Sequence, residues 1–126
     1  MAISTTLANQ LIDATVGNVS FTIPTASYVS LYSTSPNAVS TGTEIVGNGY
    51  SRQSATFTAA ANAATASNVA VNFSCTGNNW PLVRAVGVMD ASTAGNLLYY
   101  SAIPSRNIVV GSTLTFDSGT ITLTLT

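Results

Sequence analysis

Apolar and polar positions follow two rhythms along this chain. At the start, Ile3, Leu7, Leu11 and Ile12 recur about once per helical turn and build one apolar stripe. Ser4 to Thr6 supply N-caps and Gly17 a stop, so the spacing predicts a helix over residues 4–16. A helix this short is marginal alone, so its apolar side must dock on its own domain or on a neighbouring chain. After Gly17 the period drops to two. Residues 28–33, 55–58 and 69–73 alternate apolar with polar positions, as half-buried strands do. Residues 83–89 are more continuously apolar, which fits a central strand, and Gly87 within them marks a close backbone approach. Strands over 97–103, 108–110 and 114–116 follow. In residues 120–126 threonine alternates with aliphatics, burying one face and wetting the other.

Turn signals separate these runs: Ser35-Pro36-Asn37, Gly47-Asn48-Gly49, Gly77-Asn78-Asn79, Ala94-Gly95-Asn96, Pro104-Ser105, Gly111-Ser112 and Asp117-Ser118-Gly119. About seven or eight short strands at this spacing predict a mainly β fold. The expected architecture is a single antiparallel β-sandwich or jelly-roll-like domain with one short N-terminal helix. Residues 1–17 form the helix or arm and 18–126 the sandwich. Residues 58–68 lack large side chains and are expected to be an exposed loop.

Composition narrows the chemistry. The 126 residues include three Arg, no Lys, no His and four acids, so 6% are charged against about 25% in an ordinary domain. Hydration must come from 35 Ser and Thr and 11 Asn. Three cations cannot neutralise many phosphates, which argues against nucleic acid as a partner. Without His and with one Cys, no zinc or haem site can be assembled, and no cofactor is expected. High apolar content with small net charge argues against disorder. The start lacks a basic region and a long apolar run, so neither a signal peptide nor a membrane partner is expected. Cys75 reads as an interior thiol made in a reducing cytosol.

The remaining side chains offer little for catalysis. Serine and threonine lack a His or Lys base, and no Gly-x-Ser-x-Gly elbow occurs. Asp13, Glu44, Asp90 and Asp117 are the only carboxylates, with no sign that two converge as a glycosidase requires. Turn formation and local pairing with arginine account for them, and no enzyme is expected. Glu44 and Arg52 flank the 47–49 turn, read as a hairpin, and are placed to pair across it. Tyr28, Tyr32, Tyr50, Tyr99, Tyr100 and Trp80 suit either core and interface packing or a sugar-stacking platform.

Two stretches carry a resemblance. Tyr28-Val29-Ser30-Leu31-Tyr32-Ser33-Thr34-Ser35-Pro36, then Gly42-Thr43-Glu44 through Gly49-Tyr50-Ser51-Arg52-Gln53, resemble a family of small tailed-phage virion proteins often labelled tail fibre protein. Asn79-Trp80, Val86-Gly87-Val88-Met89-Asp90-Ala91 and Gly95-Asn96-Leu97-Leu98-Tyr99-Tyr100 continue it. Pro81 departs from it, standing where glycine would be expected after the tryptophan. A charge-poor sandwich of this size also resembles capsid decoration, or cement, proteins. The resemblance therefore implies a non-enzymatic protein on the outer capsid surface of the virion. Its partners would be the major capsid protein and its own copies, as a trimer. The alternative is a tail or fibre component that touches host-surface glycan. No catalytic, cofactor or metal residue carries over. The candidate interface residues are Leu7, Leu11, Ile12, Tyr50, Arg52 and Trp80.

Overall fold

The computed structural model describes residues 1–125. Ser4 begins the helix: its backbone is extended and its hydroxyl accepts the Leu7 N–H at 3.2 Å. The helix α1 spans Thr5–Thr15 and ends where the N–H groups of Val16 and Gly17 both reach the Ile12 carbonyl. This agrees with the predicted 4–16 span within a residue at each end.

Before and after the helix the chain is built from strands: β1 (Ala2–Ile3), β2 (Ser27–Thr34), β3 (Thr43–Glu44), β4 (Gln53–Ala55), β5 (Ala64–Ala66), β6 (Val71–Ser74), β7 (Val83–Met89), β8 (Leu97–Arg106), β9 (Thr113–Phe116) and β10 (Thr122–Thr124). One sheet has the order β1-β8-β7-β2-β3, with β4 also on β2. Two antiparallel ribbons, β5 with β10 and β6 with β9, complete the fold. The predicted mainly β, antiparallel sandwich with one helix is what forms.

Alternation along β2 sorts the core. Val29 and Leu31 pack with Val71, Phe73, Val86, Leu114 and Ile121 between the layers. Tyr32 points to the other face, where it packs with Ala85, Met89 and Leu97. Both faces of β2 and β7 are thus covered, which is why 83–89 reads as continuously apolar. The Tyr32 ring and Leu97 lie over Gly87, where a Cβ would sit 2.9 Å from each. The close backbone approach expected at Gly87 does not occur; side chains of the flanking strands fill the space a Cβ would take.

The first seven residues are stitched into the domain. Ala2 and Ile3 pair with Tyr100 and Tyr99, and the Ser4 N–H reaches the Leu98 carbonyl at 2.9 Å. Leu7 is buried against Val88, Leu98 and Leu123. The helix thus buries the Leu7 side chain of its first turn against the sandwich.

Three local expectations are corrected. Residues 58–68 are not a free loop. The Thr58 N–H reaches Ala66 O, Ala61 bridges Ala64, and β5 pairs with β10. Alanine and threonine announce no hydrophobic period, but pairing here is made by backbone. Residues 108–110 form no strand. The buried Ile108 instead offers its carbonyl to the Trp80 N–H at 3.0 Å. Pro104 and Ser105 do not turn; they lie inside β8, where the register on β7 shifts and an irregularity accommodates the proline. In β10 Leu123 is buried between exposed threonines, as predicted, and Thr126 lies outside the described residues. Cys75 is buried, with its thiol 3.2 Å from the Asn78 carbonyl, the interior position expected.

Candidate functional site

The residues that carry the resemblance meet at a break in a sheet edge. Both β3 and β4 pair antiparallel with β2, through Tyr32 with Glu44 and Val29 with Gln53. A hairpin would require β3 and β4 to pair with each other. Residues 45–52 are instead an excursion from one interrupted edge strand, and Gly47-Asn48-Gly49 is its tip rather than a hairpin turn.

An interrupted edge leaves backbone groups of β2 without a strand partner. The Ile45 N–H still reaches the Leu31 carbonyl at 3.0 Å. The Leu31 N–H, on a fully buried residue, donates to the Tyr50 hydroxyl at 3.0 Å. That hydroxyl in turn donates to Glu44 Oε1 at 2.7 Å. Tyr50 therefore replaces the missing strand with a side chain.

Arg52 completes the brace. Its Nε and Nη2 donate to the two Glu44 oxygens at 2.8 Å each, a bidentate pair with Arg52 only 9% exposed. Its Nη1 donates to the carbonyls of Ala91 at 2.9 Å and Ala94 at 2.7 Å. The guanidinium thus ties the edge strand to the β7–β8 loop. The pairing of Glu44 with Arg52 expected from sequence is present, inside the excursion.

Aromatic packing holds the other side. The Tyr50 ring stacks on Phe73 at 6.0 Å and meets Trp80 edge-on at 5.7 Å. Trp80 Nε1 donates to the Asn48 carbonyl at 2.9 Å, which also accepts the Thr76 N–H. Asn48 adopts φ 54° and Gly49 φ 84°, and a Cβ on Gly49 would lie 2.3 Å from Thr76 Oγ1. Glycine at 49 is a steric requirement of this tip.

The electrostatics suit a brace. Burial opposes ionisation of Glu44, but hydrogen bonds from Arg52 and Tyr50 and the Arg52 charge outweigh it, holding the carboxyl below its ordinary value. Burial, then the hydrogen bond to Glu44, push the Tyr50 hydroxyl far above its ordinary value. The hydrogen bond to Glu44 raises Arg52 further. Around neutral pH the trio holds one fixed arrangement: anion, neutral phenol, cation.

Beside the brace lies an open hollow of about 330 Å³, lined by Glu44, Tyr50, Arg52, Ser92 and Thr93 among others. The other carboxylates are elsewhere. Asp90 accepts the Asn96 N–H at 2.7 Å and its side-chain amide at 3.0 Å, closing the β7–β8 loop. Among the described residues no three His, Cys, Asp or Glu side chains gather as a metal site.

Residues 2–124 match the family described as Podophage GP4 fiber I protein gp80. The chain belongs to this family. Membership in a podophage fibre family makes the chain a phage structural protein and a virion component, and the match embraces the whole brace from Glu44 to Trp80. No curated protein matches the chain.

Within this fibre-family domain the candidate interface residues fare differently. Leu7 at 5% and Trp80 at 3% exposure are buried in the core. Tyr50 and Arg52 are partly buried and engaged in the brace, and Leu11, on the helix, is half-buried against the Leu7 cluster. Ile12, 58% exposed, is the one that offers an apolar side chain to solvent. Of the six aromatics offered for core packing or a sugar platform, Tyr32 and Trp80 are buried, whereas Tyr28, Tyr50, Tyr99 and Tyr100 are partly exposed. Sequence reasoning missed Asn48, Ala91 and Ala94, which act through backbone carbonyls. A carbonyl carries no residue-specific signal.

Proposed function

We propose that this chain is a non-catalytic building block of a podophage fibre, working through assembly and surface contact. One observation carries the reading. The side chains best suited to acid–base chemistry, Glu44, Tyr50 and Arg52, are joined to one another and to loop carbonyls. Their hydrogen-bonding capacity is spent on positioning the edge strand and the loop, which supports a structural role over that of a general acid or base.

The resemblance pointed first to the outer capsid surface and second to the tail. The family description favours the second. A surface of Ser, Thr, Asn and Ala carries few charges, whose burial costs far more than that of hydroxyls and amides that find new partners, against either a neighbouring virion protein or a host glycan. Immunogold labelling of intact virions with antibody to this chain, together with its copy number per particle, tests the placement. Label confined to the tail at low copy number is expected. Label over the whole head, at a stoichiometry near that of the shell protein, would overturn the fibre placement and restore capsid decoration. Release of reducing sugar from host polysaccharide by the purified chain would overturn the non-catalytic reading.

A further inference from the structure

The bonds that fix the β7–β8 loop run from Arg52 to the Ala91 and Ala94 carbonyls and from Asn96 to Asp90. Ser92 and Thr93, between the two gripped carbonyls, are exposed and line the hollow beside the brace. Their hydroxyls take no part in those bonds. The brace leaves two more bonding positions at the same place. Arg52 spends every N–H but one, the second on Nη2. Glu44 Oε1 accepts from both Tyr50 and Arg52, whereas Oε2 accepts from Arg52 alone among the described residues. A donor and an acceptor thus stand 2.8 Å apart on side chains already held in place. Glu44 and Arg52 are the charged residues of the hollow, and their charges cancel. The Tyr50 ring and Val46, 79% exposed, give it apolar surface.

We propose that this hollow binds a neutral sugar through a pair of hydroxyls on adjacent carbons. One hydroxyl donates to Glu44 Oε2 and its neighbour accepts from Arg52 Nη2. Ser92 and Thr93 meet the outer hydroxyls, and the C–H face of the ring lies against Tyr50 and Val46. The volume of about 330 Å³ falls within the range of small-ligand clefts, about 300–1,000 Å³. An ion gains little from a pair whose charges cancel, and it would lose its water on entering. A polar, uncharged ligand loses less and finds both a donor and an acceptor. Tyr50 and Arg52 are fixed before any ligand arrives, so binding orders little of the protein. The proposal rests on the surface-contact reading and gives it a site, with host glycan as the source of the sugar.

Titration of the full chain with methyl α-mannoside and with methyl α-glucoside, followed by amide NMR shifts, tests the site. At least one glycoside is expected to give saturable shifts confined to residues 44–52 and 91–95, with a millimolar dissociation constant. The 3-deoxy analogue of that glycoside keeps the ring but has no hydroxyls on adjacent carbons. It should bind at least about tenfold more weakly. Ser92→Trp, which fills the hollow, should abolish the shifts, and Thr93→Val should weaken binding at least about threefold. Both positions are exposed, and unchanged circular dichroism will establish that the variants fold. No saturable shift with either glycoside, shifts centred elsewhere, or equal binding of the 3-deoxy analogue would each overturn the proposal. So would binding that survives Ser92→Trp or ignores Thr93→Val. None of these outcomes touches the fibre placement or the non-catalytic reading, which fall instead to label over the head or to release of reducing sugar.

Discussion

Replacing Tyr50 by Phe removes one oxygen and keeps the ring, so it isolates what the hydroxyl does. The stack on Phe73 and the edge contact with Trp80 are retained. The Leu31 N–H loses its acceptor on a residue that is 0% exposed. An unmet buried donor costs about 1–3 kcal/mol. Glu44 also loses a charge-assisted hydrogen bond, but it is 24% exposed and keeps Arg52, so about 1 kcal/mol is appropriate for that loss. The sum is about 2–4 kcal/mol, a large part of the roughly 5–15 kcal/mol that holds a domain together. At about 3–5 °C per kcal/mol for this chain length, Tm falls by roughly 6–20 °C. Urea unfolding followed by circular dichroism should show a lower midpoint with an unchanged slope, because the exposed surface on unfolding is the same. A loss under about 0.5 kcal/mol would refute the argument that Tyr50 stands in for a missing strand.

Other predictions concern the same brace and its surroundings. Glu44 is held below its ordinary value of 4.5, so its contribution is fully present above that value and is lost as pH falls through the lower folded value. The stability gap between the parent chain and Glu44→Gln should therefore be constant near neutrality and close toward about pH 2; a gap unchanged by acid sinks this reading. Gly87→Ala should cost about 1–3 kcal/mol, because the new methyl meets Leu97 and Tyr32 at 2.9 Å, and thermal unfolding of the variant measures it. Leu7→Ala should cost about 2–5 kcal/mol, whereas Ile12→Ala should stay within about 0.5 kcal/mol in dilute solution. Equal effects in chemical denaturation would mean that the helix is not anchored by its first turn.

Much of the architecture was legible because hydrophobic periodicity survives as local pattern. The helix at 4–16 followed from Ile3, Leu7 and Leu11, and the central strand from the apolar run at 83–89. Where burial is not what forms an element, pattern failed. Strand β5 is alanine and threonine, and its backbone pairing with β10 has no hydrophobic period. Pro104 reads as a turn in isolation, yet an irregularity in β8 absorbs it. Ile108 reads as strand because it is apolar, although its burial comes from a loop folded under Trp80. The 47–49 turn was found, but whether its flanks pair with each other or with β2 is a long-range choice. No local signal encodes it.

By itself the sequence determined a neutral, mainly β domain with one short amphipathic helix, and it placed Glu44 and Arg52 within reach of each other. Composition and period act over a few residues and are read without knowing what packs on what. Only the tertiary structure decided that Tyr50 closes a gap in the edge of β2, that Arg52 reaches Ala91 and Ala94 in a loop far along the chain, and that Leu7 and Trp80 are interior. The reason is the same in each case: a hydrogen bond or a buried face belongs to two parts of the chain at once, and which second part is available is settled only when the whole chain has folded.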